Sequence, residues 1–189
     1  MILVTGAGRS GTSLLMALFT FLGLDTGFDE TEFERVQSSN SKAGFEKHQD
    51  PCPYIVKCIW CSEKVDAMVN KHAFAMEHVI FPMRSLEGSV QSRKRISDLV
   101  GGGERVGGFD NASNEDEQKQ VNCRRVYNLL HDLAKNDIPF TLLHFPRLAN
   151  DAEYLWGKLE WLFQKNGISK EKFLEVHAKV SNPNLINFS

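Results

Sequence analysis

The sequence has no long hydrophobic run and little excess charge of either sign. The longest strongly apolar stretch, Leu14 to Leu24, is too short to cross a bilayer, and a strand signal that begins at Ile2 leaves no room for a signal peptide. A net charge of -2 gives no general attraction to nucleic acid, and the basic cluster at residues 93–95 is too short for a polybasic arm. We therefore expect a cytoplasmic protein that binds neither membranes nor nucleic acid.

Cysteine is also scarce, with four residues in the chain, as is typical of proteins from a reducing compartment. Cys58 and Cys61 form a lone C-x-x-C motif. A structural zinc site needs further ligands at a characteristic spacing, and neither a second cysteine pair nor a nearby histidine supplies them. The sequence therefore predicts no zinc site.

The chain is rich in apolar residues, at 42% of 189 residues, which is enough for a full core in a single domain spanning residues 1–189. Short β-rich runs alternate with amphipathic helical segments, which predicts an α/β fold. We expect a three-layer, P-loop-type parallel sheet of four or five strands flanked by helices. The predicted strands are Ile2 to Thr5, Tyr54 to Trp60, His78 to Pro82 and Phe140 to Phe145. The predicted helices are Gly11 to Leu22, a helix capped by Ser62 and ending near His72, Leu86 to Val100, Glu115 to Lys135, Asp151 to Gln164, and a helix capped by Ser169 and ending near Val180.

Two segments do not follow this alternation of strands and helices. Asp25 to Pro53 is long and polar, and Gly101 to Asn114 is rich in glycine. Loops of this length usually have a functional role, and ligands of parallel sheets bind beyond the carboxyl ends of the strands. We expect these two segments to contribute to a binding pocket, and disorder without a function is the alternative.

The most informative segment, residues 2–13, runs from a strand through a glycine-rich turn into a helix. Its glycines are Gly6, Gly8 and Gly11. Glycines let the backbone approach an anion, and the free N–H groups of the turn and the helix start can bind it. The spacing fits the triphosphate loop G-x-x-x-x-G-K-[ST], but Thr12 replaces the lysine and Arg9 supplies the cation. An ordinary strand-to-helix turn would not require this set of residues, so the segment predicts a cradle for a different phosphate ester.

A second pair of residues also indicates an anion. Arg84 follows the third predicted strand, and Ser92 lies two turns along the next helix. An arginine just before a helix reaches back over its first turns, so the guanidinium and the hydroxyl can share one phosphate. The alternative is an exposed arginine beside a solvated serine.

Residues 8–15, Gly-Arg-Ser-Gly-Thr-Ser-Leu-Leu, together with Arg84 and Ser92, resemble the sulfotransferases that use 3'-phosphoadenosine-5'-phosphosulfate, and small bacterial members most closely. The resemblance extends loosely to residues 40–46, to residues 140–148 and to the helix that follows. It implies that the 3'-phosphate is bound by Arg84 and Ser92, and that no metal is needed. It implies that the 5'-phosphosulfate is bound by Gly8, Arg9, Ser10, Gly11, Thr12 and Ser13.

The same resemblance implies the catalytic groups. Sulfuryl transfer requires positioning of donor and acceptor, neutralisation of the equatorial oxygens and removal of the acceptor proton. Arg9 and Lys57 would neutralise charge. The histidine that is the base in cytosolic members would fall at Ile59. Members that act on saccharides often use a glutamate, so the resemblance of residues 40–46 implies Glu46 as the candidate base, with His48 as the second choice.

The acceptor would be a hydroxyl of a saccharide or a small molecule. Two other functions fit parts of the pattern. A P-loop small-molecule or nucleoside kinase shares the architecture, and a catalytically inactive nucleotide-binding relative would keep the loop without a base. The sequence specifies neither the acceptor nor the oligomeric state.

Overall fold

The computed structural model of the protein describes residues 1–32, 45–46, 52–70, 75–100 and 108–181. Within these ranges the chain forms a four-stranded, all-parallel sheet with the order β2-β1-β3-β4, flanked by helices. The strands are β1 (Ile2–Val4), β2 (Ile55–Lys57), β3 (His78–Met83) and β4 (Phe140–His144). The helices are α1 (Thr12–Phe21), α2 (Val65–Asn70), α3 (Leu86–Val100), α4 (Glu115–Lys135), α5 (Arg147–Asn150), α6 (Ala152–Lys165) and α7 (Lys170–Val180), with a 3-10 helix at Trp60–Glu63. The predicted α/β fold is confirmed.

The strand order brings together the chain segments that follow β1, β2 and β3. β1 lies between β2 and β3, with Ile2 opposite both Ile55 and His78. Because all four strands run in the same direction, the segments that follow them lie at one edge of the sheet. The loop after β1, Lys57 at the end of β2 and Arg84 just after β3 therefore become neighbours.

Two apolar clusters cover the two faces of the sheet. On one face, α1, α6 and α7 pack together, and the rings of Phe163 and Phe173 lie 4.9 Å apart between their centroids. On the other face, Leu129 and Leu133 of α4 pack against the strands. All three residues of β1 are fully buried, as expected for the central strand of a parallel sheet covered on both sides.

Several predicted ends of strands and helices are wrong by a few residues. The predicted second strand ends at Lys57 instead of Trp60, because the chain turns there into the 3-10 helix. Ser62 is not a helix cap, because it lies inside that turn and its hydroxyl donates to the carbonyl of Ile59 at 2.8 Å. α2 begins at Val65, and the predicted end near His72 lies outside the described residues.

The predicted bounds of two helices and the predicted cap at Ser169 are confirmed. The bounds of α3 and α4 match the sequence pattern. Ser169 caps α7 by accepting from the N–H of Lys172, and Asp151 caps α6 by accepting from the N–H of Tyr154. In the part of the chain that the structure describes, none of the helices is long and apolar enough to cross a membrane.

Candidate functional site

The glycine-rich loop, residues 5–11, leads from β1 to α1 at the carboxyl edge of the sheet. A Cβ atom at Gly11 would lie 2.8 Å from the ring of Phe145, and one at Gly8 would lie 2.3 Å from a guanidinium nitrogen of Arg93. Both glycines have positive φ, as does Arg9 at 57°. Positive φ and these close contacts favour glycine at positions 8 and 11, and a larger residue at either position would require its neighbours to move.

Ser10 lies in this loop just before α1 begins. Its side chain is 2% exposed, and its hydroxyl has no hydrogen-bond partner among the described residues. A buried hydroxyl without a partner costs free energy and calls for an explanation, such as a ligand atom. The N-cap of α1 is Gly11, which has no side chain to cap the helix, so the free N–H groups of the first turn favour an anion at the same place.

Arg84 and Ser92, which were predicted to share one anion, both contact Arg9. The Nε of Arg9 donates to the hydroxyl of Ser92 at 3.1 Å, and an Nη of Arg84 donates to the carbonyl of Arg9 at 3.3 Å. The guanidinium of Arg84 also lies over the ring of Phe145, 4.9 Å from its centroid. The structure therefore places Arg9, Arg84 and Ser92 in one cluster beside the glycine-rich loop.

These two arginines lie in a partly desolvated environment. Burial and the charge of Arg9 lower the pKa of Arg84 to about 10, and burial together with the nearby Arg95 lowers the pKa of Arg9. Both groups are still charged at neutral pH. Two cations held side by side with partial loss of water favour the binding of a multiply charged anion.

Lys57 forms the other side of the site. It is 1% exposed, and its Nζ lies 3.3 Å from a carboxylate oxygen of Glu46 and 3.3 Å from the hydroxyl of Ser13. Burial lowers the pKa of Lys57, Glu46 opposes this effect, and Arg9 adds to it. Lys57 thus links the predicted base to the start of α1. His48, the second candidate base, lies outside the described residues.

Two residues of α3 that the sequence pattern did not single out also hold the loop. Arg93, 3% exposed, donates to the carbonyl of Ala7 at 2.8 Å, and Ser89 donates to the carbonyl of Gly8 at 3.1 Å. Residues four apart lie on the same face of a helix. The serine and arginine at this spacing, just after a predicted phosphate-binding residue, are the signal that would have found them.

Behind these residues lies a buried polar network that reaches α4. Gln118 donates to Asn122, Asn122 donates to Ser89, and Arg125 pairs with Asp110 at 2.5 Å. Burial alone would raise the pKa of Asp110, but Arg125, the charge of Arg93 and a hydrogen bond from Trp60 together outweigh it, and the net pKa is lowered. The network fixes residues 108–110 beside the glycine-rich loop.

The C-x-x-C motif forms a disulfide, which the sequence pattern did not predict. The sulfurs of Cys58 and Cys61 are 2.02 Å apart. Cys58 directly follows Lys57, and its N–H donates to the carbonyl of Val4 in β1. Within the described residues, no three His, Cys, Asp or Glu side chains are grouped so that they could hold a metal ion.

Comparisons with known proteins give no match, since neither a protein-family model nor a curated protein sequence matches the chain.

Proposed function

We propose that the protein is a sulfotransferase that moves a sulfuryl group from 3'-phosphoadenosine-5'-phosphosulfate to the hydroxyl of a saccharide or small-molecule acceptor. The observation that carries this proposal is the contact of Arg9 with both Arg84 and Ser92 beside a glycine-rich loop whose Ser10 hydroxyl is buried without a described partner. A donor with anionic groups at both its 5' and 3' positions would match this surface.

The donor fits the residues present. The first-turn amides of α1 and the hydroxyl of Ser10 would bind the 5'-phosphosulfate. Arg84 and Ser92 would bind the 3'-phosphate, each exchanging its present contact with Arg9 for a charge-assisted contact with the phosphate. Thr12 occupies the position of the lysine in the triphosphate loop, which supports a ligand other than a nucleoside triphosphate.

The chain also supplies groups for the reaction. A bond forms between the acceptor oxygen and sulfur while the bond between sulfur and the phosphate oxygen breaks. Lys57 and Arg9 would neutralise charge on the transferring group, and Glu46 would accept the proton of the acceptor hydroxyl. The 3.3 Å contact of Glu46 with Lys57 supports these roles, because it brings a carboxylate beside the cation that faces Ser13.

Nucleotide binding is the first test of this proposal. We expect the product nucleotide, 3'-phosphoadenosine-5'-phosphate, to raise the melting temperature in a buffer containing EDTA, and ATP with magnesium to have little effect. Arg84→Met should weaken binding of the product nucleotide, whereas Tyr127→Phe, on an exposed part of α4, should leave binding unchanged. A metal-dependent shift with ATP alone would instead support a kinase.

Turnover is the second test. The protein is incubated with the phosphosulfate donor and a panel of sugars, phenols and aliphatic alcohols, and release of the product nucleotide is measured. Glu46→Gln should retain nucleotide affinity and lose turnover. Binding without turnover for every acceptor would support an inactive relative, and equal turnover in Glu46→Gln would remove Glu46 as the base.

A further inference from the structure

Arg93 connects two segments that are far apart in the sequence. One Nη donates to the carbonyl of Ala7 at 2.8 Å, and the other donates to the carbonyl of Gly108 at 2.6 Å. The side chain is only 3% exposed. Arginine is almost never buried to this extent unless its charge has partners, and the two carbonyls are such partners here. We call Arg93 and the two carbonyls that it binds the Arg93 clamp.

The clamp leaves no room for a side chain at position 8 of the loop. A Cβ at Gly8 would lie 2.3 Å from Nη2 of Arg93 and 3.2 Å from its Cζ. Ser89, one turn earlier on α3, holds the next carbonyl, that of Gly8. Two consecutive carbonyls of the loop therefore face the same helix.

This orientation determines where the loop amides point. In a trans peptide the N–H points opposite to the C=O of the same unit. Because the carbonyls of Ala7 and Gly8 face α3, the N–H groups of Gly8 and Arg9 point away from α3. Backbone N–H groups arranged in this way form a concave site for an anion.

We propose that Arg93 is a positioning residue of the anion site, which keeps the amides of the glycine-rich loop oriented for binding and fastens residues 108–110 beside that loop. The contacts that define the clamp are present in the protein without ligand. The use of a nucleotide to test it rests on the proposed function. Burial lowers the pKa of Arg93 to about 10, with Asp110 opposing this effect, so the guanidinium is charged at neutral pH.

Hydrogen exchange of the free protein tests the clamp directly. We compare Arg93→Met, Arg93→Lys and, as a matched control, Lys94→Met, which removes an exposed charge, paired with Glu115, from the same helix. Arg93→Met should speed exchange of peptides covering both residues 6–10 and residues 108–110, and Arg93→Lys, which can reach one carbonyl at a time, should have a smaller effect. Unchanged exchange at both segments in folded Arg93→Met would overturn the inference, and where that variant does not fold, Arg93→Lys decides in the same way.

Affinity for 3'-phosphoadenosine-5'-phosphate is the second readout. Arg93→Met should weaken binding by about tenfold or more, and Lys94→Met by less than about twofold at physiological salt, since exposed charges are screened. If the wild-type protein does not bind this nucleotide, the proposed function is wrong, and the hydrogen-exchange experiment still tests the clamp. If the wild type binds it and Arg93→Met binds equally well, the positioning role is wrong.

Gly8→Ala provides an independent variant. Its methyl group should displace the guanidinium of Arg93, so it should speed exchange of residues 108–110, which Arg93 holds through the carbonyl of Gly108. In the Gly8→Ala background, adding Arg93→Met should change exchange at residues 108–110 much less than it does alone. Additive effects of the two substitutions would contradict the clamp.

Discussion

Replacement of Ser10 by alanine should have opposite effects on the free protein and on the bound protein. The Ser10 hydroxyl is buried and has no hydrogen-bond partner among the described residues. A buried polar group without a partner costs about 1–3 kcal/mol, and alanine removes that group while leaving a gap of a single atom. Ser10 is not among the residues with positive φ, so alanine causes no backbone strain.

The expected gain for the free protein is about 1 kcal/mol, once lost packing is subtracted from the low end of the cost of a buried hydroxyl. For a domain of this size, that gain raises the melting temperature by about 2–4 °C. If the hydroxyl binds a phosphate or sulfate oxygen in the complex, its removal costs about 1.5–3 kcal/mol of binding, because hydrogen bonds to charged groups are the stronger ones. This loss corresponds to at least about a tenfold weaker affinity.

The assay is urea unfolding with and without saturating 3'-phosphoadenosine-5'-phosphate, together with calorimetric titration of the nucleotide. Ser13→Ala is the matched control, because its hydroxyl accepts a hydrogen bond from the buried Nζ of Lys57 at 3.3 Å. Ser13→Ala should destabilise the free protein by about 1 kcal/mol. A free Ser10→Ala protein that is less stable than the wild type would refute the account of the buried hydroxyl, and unchanged nucleotide affinity would remove Ser10 from the site.

Three further substitutions test the charged groups. Arg84→Met should weaken the product nucleotide by on the order of 2 kcal/mol in a calorimetric titration, or about 30-fold, since it removes a charge-assisted contact; equal affinity would contradict the assignment of Arg84. In the folded protein the pKa of Lys57 is lowered from 10.5, so the free energy of unfolding should rise as pH increases from the folded pKa to 10.5. Glu46 raises the pKa of Lys57, so in Glu46→Gln urea unfolding should show this rise beginning at a lower pH. Asp110→Asn removes the carboxylate that lies 2.5 Å from Arg125, while Glu63 remains 3.6 Å from the same guanidinium, so the substitution should cost about 2 kcal/mol at pH 7. The pKa of Asp110 is lowered from 3.8 in the folded protein, so its contribution to stability is present above pH 3.8 and is lost as pH falls through the folded pKa. If Asp110→Asn loses stability in acid in the same way as the wild type, another carboxylate is responsible.

The fold could be predicted from the sequence because its signals are local. The apolar run of β1 and the periodic patterns of α3 and α4 identify strands and helices without knowledge of their partners, and the predicted bounds of both helices hold. The short turn after β2 was misread, because Ile59 and Trp60 have high strand propensity and the pairing of Cys58 with Cys61 depends on geometry that spacing alone does not give.

The site could be predicted only in part, for a related reason. The loop residues share a local motif, and Arg84 has a recognisable position after β3. The roles of Arg93 and Gly108 depend on a contact between segments 15 residues apart in the chain, and on a second contact with Ala7, 86 residues away. Such contacts follow from tertiary packing. The spacing of Ser89 and Arg93 indicates that both lie on one face of α3, but it does not identify the carbonyls that they bind.

Four cationic groups around the glycine-rich loop give the free protein an unusual electrostatic balance. They are Arg9, Lys57, Arg84 and Arg93, and burial lowers the pKa of each. Two carboxylates, Glu46 and Asp110, oppose that lowering. Desolvated like charges reduce the stability of the free protein, and a bound anion would offset this cost. The donor of the proposed function, which carries several negative charges, would supply such an anion.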